Sequence, residues 1–315
     1  RFTTRTAAPP PHPASVRKEV IVTQATVTDL APDPSPAPLR RRPRPLARGS
    51  ALNRVLLGGI VPILFLIVWQ VGREQAWEIP IVGIRMGYLP SPADVVASLW
   101  DYAFGGIHDD AFSGDLWINL GTSSLRVLVG FTIASAIAVP LGILMGRYYT
   151  MDALFDPFIN LFRPIPATAW VPLVGLLIGW GDQATIFLIS LSAFFPIVLG
   201  AISGSKEVPP RLIEAGRMLG ARRWEVLAQV VVPASAPAVV NGMRVGLGIA
   251  WVVLVLGEGV GVSVGLGANI ILARDVVRTD MVVVGMMVVG VAGFLSDRIL
   301  MGAFRLFTRG RPLIK

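Results

Sequence analysis

Six long apolar stretches organise this chain. A hydrocarbon core of roughly 30 Å takes about 20 helical apolar residues to cross. Val55–Gly72 supplies 18 uncharged residues between Arg54 and Arg73, Val127–Gly146 supplies 20, and Pro164–Gly181 supplies 18. Gln183–Ser205 adds 23, Ala234–Gly257 adds 24 interrupted only by Arg244, and Met281–Ser296 adds 16 between Asp280 and Asp297. The pattern predicts an all-α polytopic membrane protein with about six spans, near 55–72, 121–146, 160–181, 183–205, 234–257 and 281–300.

The segments between the runs carry their own signals. Ser91-Pro92-Ala93-Asp94 has the order of an N-cap followed by Pro at the first helical position. Val95, Val96, Leu99, Trp100 and Ala103 then recur at helical spacing, which predicts an amphipathic helix on the membrane surface or on the bundle. The glycines of 257–267 lack the strand–helix context of a phosphate loop, so they predict a tight turn between the fifth and sixth spans. The hydrophilic loop 206–233 predicts one helix from Pro210 and a second over 222–230. Gly220 stands between the two, and Pro233 is expected to separate the second from the fifth span.

Residues 1–48 hold ten prolines and the run Arg40-Arg41-Arg42-Pro43-Arg44. Such a composition does not bury a core and is expected to be a disordered cytoplasmic tail, leaving 49–315 as the transmembrane domain. It has no apolar stretch of the kind a secretory signal needs.

Charge fixes an expected orientation. The net charge is +8. Residues 1–54 contribute ten Lys/Arg against three Asp/Glu, so nearly all the excess lies there. A basic segment before an apolar run reads as a cytoplasmic flank rather than a nucleic-acid surface. With both termini cytoplasmic, inside segments hold 22 Lys/Arg and outside loops hold four, as the positive-inside rule requires. Arg126 and Arg244 lie within helical stretches and fall outside this count.

Composition removes several chemistries. With no Cys there is no disulfide, thiolate metal site or cysteine nucleophile. His12 and His108 are the only histidines and read as loop residues, so no metal site is expected. None of the three lysines, Lys18, Lys206 and Lys315, follows a Gly, so the chain lacks the phosphate-cradling Gly-x-x-x-x-Gly-Lys loop.

The 206–233 loop reads KEVPPRLIEAGRMLGARRWEVLAQVVVP. It resembles the Glu-Ala-Ala loop of ABC importer permeases, the binding-protein-dependent transport inner-membrane components. Glu214, Ala215, Gly220, Val230, Val232 and Pro233 fit that pattern, and Gly216 stands where the second Ala is usual. Residues 88–300 are further similar to the nitrate/sulfonate/taurine/bicarbonate-type subfamily. Its pieces here include Leu89-Pro90-Ser91-Pro92, Ser124-Leu125-Arg126-Val127, Pro140-Leu141-Gly142-Ile143, Arg163-Pro164-Ile165-Pro166, Ala169-Trp170-Val171-Pro172 and Leu295-Ser296-Asp297-Arg298.

The resemblance implies a type I (MetI-like) permease fold in a cell membrane and no cofactor in this chain. It implies three kinds of partner: separate ATPase subunits that bind ATP, an extracytoplasmic solute-binding protein, and a second permease copy, as a homodimer. The loop would carry the ATPase-docking residues Glu214, Ala215, Gly216, Gly220 and Pro233. The cargo would be a small anion, with a neutral or aromatic compound such as a vitamin precursor as the alternative. A secondary transporter would need inverted repeats and its own ion site, and no internal repeat is visible.

Four residues are candidates for the pathway. Arg126 and Arg244 sit in or beside spans, where a charge is costly unless paired or solvated. Each reads either as a protein-paired cation or as an anion contact. Glu258 ends the fifth run and reads as a helix end or a functional carboxylate. Trp170, between Pro166 and Pro172, reads either as packing or as the lining of a break in the third span.

Overall fold

The computed structural model describes residues 51–79, 83–108 and 110–308. The expected tail, 1–48, lies outside them. Contacts divide the chain at Leu57–Gly58. The described part of the first unit is the start of helix α1 (Ala51–Glu74). The second unit, Gly58–Lys315, contains everything that follows.

After α1 come a two-residue hairpin, β1 (Glu78–Ile79) against β2 (Ile84–Arg85), and helix α2 (Pro92–Phe104). Long helices then alternate with short ones: α3 (Leu116–Arg147), α4 (Tyr149–Phe162), α5 (Ala167–Leu177), α6 (Asp182–Lys206) and α7 (Pro210–Met218). They are followed by α8 (Arg223–Val226), α9 (Val232–Glu258), α10 (Leu266–Asp275) and α11 (Thr279–Thr308). Among the described residues, four helices are long and apolar enough to cross a membrane: Leu116–Arg147, Asp182–Lys206, Arg223–Glu258 and Thr279–Leu306.

Helix α6 is the central member, packed on α3 along one side and on α9 along the other. Small residues make this approach feasible, because lipid provides no hydrophobic drive between helices and close van der Waals packing takes its place. Gly130, Ala134, Ala138, Gly142 and Gly146 recur every four residues and put one stripe of α3 against α6. A Cβ on Gly142 would stand 2.6 Å from the Val198 carbonyl oxygen. On the other side, a Cβ on Gly200 would stand 2.7 Å from the Gly242 Cα.

The run expected to span 160–181 is two helices. Helix α4 ends at Phe162, and α5 begins at Ala167. Pro164 and Pro166 explain the break. Neither proline provides an N–H to continue the ladder, and Pro166 itself is extended, with ψ at 146°.

The second helix of the 206–233 loop is not separated from the fifth span. Helices α8 and α9 form one rod, joined by a π turn over Leu227–Val231. The Val232 N–H reaches back five residues to the Leu227 carbonyl. This wider turn accommodates Pro233, whose ring would clash with the carbonyl four residues back in a regular α-helix.

Helix α2 has the expected start. Ser91 Oγ accepts from the Asp94 N–H at 3.1 Å, and the Ser91 N–H donates to Asp94 Oδ2 at 3.0 Å. Bonding to the Ser91 side chain, and to its backbone N–H, holds the Asp94 carboxyl below its ordinary range. The helix packs on α11 and α3 and leaves Val96, Trp100 and Phe104 exposed. The glycine-rich turn 259–265 also differs from expectation, because it leads into a further helix, α10, before α11.

Candidate functional site

The loop between α6 and α9 is built on a buried base. Val208, Ile213, Val226, Leu227 and Val231 pack with Ile143, Ala201 and Val239 from the ends of α3, α6 and α9. Helix α7 ends in a left-handed turn at Gly220, where φ is +83°. The Ala221 N–H donates to the Gly216 carbonyl at 3.1 Å and the Gly220 N–H to the Arg217 carbonyl at 3.0 Å. This is the paired arrangement of a glycine-closed helix end.

The next helix opens with the Arg222 N–H donating to Glu225 Oε2 at 2.7 Å. Gly216 faces Val226 and Val230, and a Cβ there would make ordinary contacts at 3.4 and 3.6 Å. A small residue belongs at this position, and alanine would also fit. The tip carries large apolar side chains in the open: Met218 is 86% exposed, Leu219 88% and Trp224 71%. Glu214 and Ala215 are exposed beside them.

A second constellation gathers Arg126 and Glu258. Arg126, on α3, is 5% exposed, and Glu258, at the end of α9, is fully buried. Arg126 Nη1 donates to Glu258 Oε1 at 2.5 Å and to the Val264 carbonyl at 2.8 Å, while Nη2 donates to Asp182 Oδ1 at 2.7 Å. Ser123 Oγ donates to the Glu258 carboxylate at 2.7 Å and accepts from the Leu266 N–H at 2.9 Å.

The same carboxylate accepts from the Gly267 N–H at 2.8 Å, and Asn119 Oδ1 accepts from the Gly265 N–H at 2.8 Å. Three side chains thus satisfy the free N–H groups at the start of α10, where a negative charge also complements the helix dipole. Every member is paired, as a buried charge requires. Sequence reading singled out Arg126 and Glu258 but not their partners Asp182, Ser123 and Asn119.

Arg244 lies apart from this cluster. It grips Asp297 of α11 with two hydrogen bonds, Nε to Oδ1 at 2.6 Å and Nη2 to Oδ2 at 3.0 Å. That bidentate fork ties α9 to α11.

Trp170 lines a cleft of about 530 Å³ between the α4–α5 bend, α6 and α9. The other polar side chains on its wall are Arg163, Ser192, Ser203 and Asn241, and the remainder is largely apolar. Arg126, Glu258 and Arg244 do not line it. Arg163 falls inside the expected 160–181 span; the proline break places it at the bend between two helices instead. A second groove of about 810 Å³, nearly all apolar, runs between α3, α9 and α11. Among the described residues, no group of three or more His, Cys, Asp or Glu is arranged to hold a metal.

Comparison with known proteins gives a consistent set of relatives. A family model, that of the binding-protein-dependent transport system inner membrane component, matches residues 138–309. An ABC transporter permease protein of Methanocaldococcus jannaschii is 43% identical over 223 residues, covering 70% of this chain and 82% of that protein. The taurine transport system permease protein of Escherichia coli is 33% identical, covering 76% and 83%. An aliphatic sulfonates transport permease protein of the same organism is 31% identical, covering 80% and 90%.

Proposed function

The chain belongs to the family of binding-protein-dependent transport system inner membrane components, and from that premise we propose how it works as an importer permease. It forms the pathway for a small sulfonate-type or related anion, delivered by a solute-binding protein outside the membrane. ATP is bound and hydrolysed on separate ATPase subunits, which dock on the 206–233 loop. Both termini and that loop face the cytoplasm, the break at α4–α5 sits within a span, and α1 completes a set of six. Two copies of the chain enclose the pathway.

The observation that carries the docking role is the bare apolar tip of the α7–α8 turn. Met218, Leu219 and Trp224 stand in the open on a base that is itself well buried. A helix–turn–helix that spends buried area on its foundation and leaves its largest side chains uncovered suits a partner groove that takes up a short helix. Glu214 and Gly220 act as the polar anchor and the turn. The taurine and sulfonate relatives support the anion.

The test is uptake in vesicles that contain the permease, its ATPase and its binding protein. ATP-dependent uptake of taurine or an alkanesulfonate is expected, and oxyanions should compete with it. Uptake blocked by a neutral heterocycle and untouched by oxyanions would replace the anion with a neutral cargo.

A further inference from the structure

The cleft beside Trp170 contains an unusual set of unused donors. Arg163, Asn241 and Trp170 all line it. Among the described residues, no carboxylate pairs with the Arg163 guanidinium, and neither the Asn241 amide nor the Trp170 indole N–H donates to any protein group. The hydroxyls on the same wall behave differently. Ser192 donates to the Leu188 carbonyl at 2.7 Å and Ser203 to the Leu199 carbonyl at 2.8 Å, so both are spent within α6. The free donors in the cleft are therefore the Arg163 guanidinium, which is permanently charged, the Asn241 amide NH2 and the Trp170 indole N–H, while the Asn241 amide oxygen and the two serine oxygens remain as acceptors.

Position sharpens the contrast. The cleft follows α6 from Leu191 to Ser203, about 18 Å at 1.5 Å per residue. Arg163 therefore lies alongside a helix that is long and apolar enough to cross the membrane. A cation there is costly unless it is paired or solvated. Among the arginines at such helices, Arg126 pairs with Glu258 and Asp182 and Arg244 with Asp297, while Arg298 of α11 lies over the Phe294 ring at 4.8 Å. Arg163 is exposed on the cleft wall, open to water or to a partner that the chain itself does not supply.

We infer that Arg163, Asn241 and Trp170 form an oxyanion-binding station in this cleft, with Arg163 as the residue that selects for negative charge. The inference rests on the anion reading proposed above and gives it an address. A sulfonate or comparable oxyanion presents three acceptor oxygens and no donor. The guanidinium fork meets two such oxygens in its own plane. The amide and indole N–H groups can satisfy a third, and the indole face and apolar wall suit an organic tail.

The absence of cysteine makes a direct test possible. Ser203→Cys, exposed on the cleft wall, gives the full chain a single thiol. In the reconstituted complex with ATPase and binding protein, its labelling rate is measured with two methanethiosulfonates, one bearing a sulfonate and one a trimethylammonium group. Arg163 should favour the anionic reagent about tenfold over its rate in Arg163→Gln, the low end of what focused charge provides. Arg163→Lys should keep most of the preference, and methanesulfonate should slow labelling only where a cation is present. In parallel, Arg163→Gln should cut taurine uptake at least tenfold, while ATP hydrolysis stimulated by the loaded binding protein persists. That persistence shows an assembled complex.

Reagent ratios that ignore Arg163 while wild-type taurine uptake proceeds would overturn the station and leave the anion reading intact. An Arg163-dependent ratio in a complex that imports only neutral solutes would uphold the cleft's charge selectivity and overturn the anion reading.

Discussion

Arg126 and Glu258, 132 positions apart, meet as a buried ion pair at 2.5 Å. Their pairing joins the end of α9 to the first third of α3. Asp182 brings in α6, and the Ser123 and Gly267 bonds bring in the start of α10. One carboxylate thus serves as counter-ion and as helix cap, and four helices depend on it.

This arrangement predicts an unequal response to substitution. Arg126→Ala leaves Glu258 charged and buried without its cation, and breaking a buried pair in this way costs about 3–5 kcal/mol. Combining Arg126→Leu with Glu258→Gln removes both charges and keeps an acceptor for Ser123 and Gly267. Thermal unfolding of the detergent-solubilised protein should show the single variant well below wild type and the double variant recovering most of the loss. A double variant no better than the single would mean that the charges matter for something other than each other.

Much of this was legible in the sequence, and the failures have physical causes. Arg126 and Glu258 stand out as ionisable groups at apolar runs, yet nothing local says that two groups so far apart will meet. Gly220 was legible because a turn between helices that requires positive φ favours glycine. The Pro164–Pro166 break was half legible: a break in the third span was one reading of Trp170 between Pro166 and Pro172, but an apolar count ignores backbone hydrogen bonding and does not place it between Phe162 and Ala167. Arg163, inside the expected 160–181 span, was hidden, because nothing local marks the bend that carries it. Pro233 misled in the other direction, because a π turn lets a helix run through a proline that a regular turn would not tolerate.

The stripe on α3 predicts a steep size limit. Gly142 touches the Val198 carbonyl, and Gly200 and Gly242 touch each other's backbones. Gly142→Leu or Gly200→Leu must push helices apart, since backbone on the far side cannot move away as a side chain could. Overpacking of this kind costs about 1–3 kcal/mol or more. Gly248→Leu, on the same α9 but with nothing near its Cβ, should be tolerated. Yield of folded protein by size-exclusion profile separates the two classes.

The Arg244–Asp297 fork predicts rescue by exchange. In water an exposed pair is worth about 0–1 kcal/mol, but a lone charge at a helix centre in a bilayer costs about 2.5–3.5 kcal/mol on insertion scales. Asp297→Leu should therefore reduce membrane-inserted protein. Exchanging the two, Arg244→Asp with Asp297→Arg, should restore it. Failure of the exchange with full activity in Asp297→Leu would show that the pair contributes little to the fold.

The 206–233 loop predicts opposite outcomes at two glycines four residues apart. At Gly216 the backbone is helical, and a Cβ would meet Val226 and Val230 at 3.4 and 3.6 Å. Gly216→Ala should leave ATP-driven uptake unchanged or slightly raise stability, since alanine is the better helix former. At Gly220 the space is open, but φ is +83°. The penalty there comes from the backbone alone, about 1–3 kcal/mol for a non-glycine residue and worst for a β-branched one. Gly220→Val should untwist the turn, displace Leu219 and Trp224, and abolish uptake while membrane insertion stays normal. Gly220→Asn, which tolerates the left-handed region, should retain part of the activity. Co-purification of the ATPase with each variant reads the same interface without transport. An ATPase that still binds Gly220→Val, and still binds when Glu214→Ala is added, would place the docking surface elsewhere in the chain.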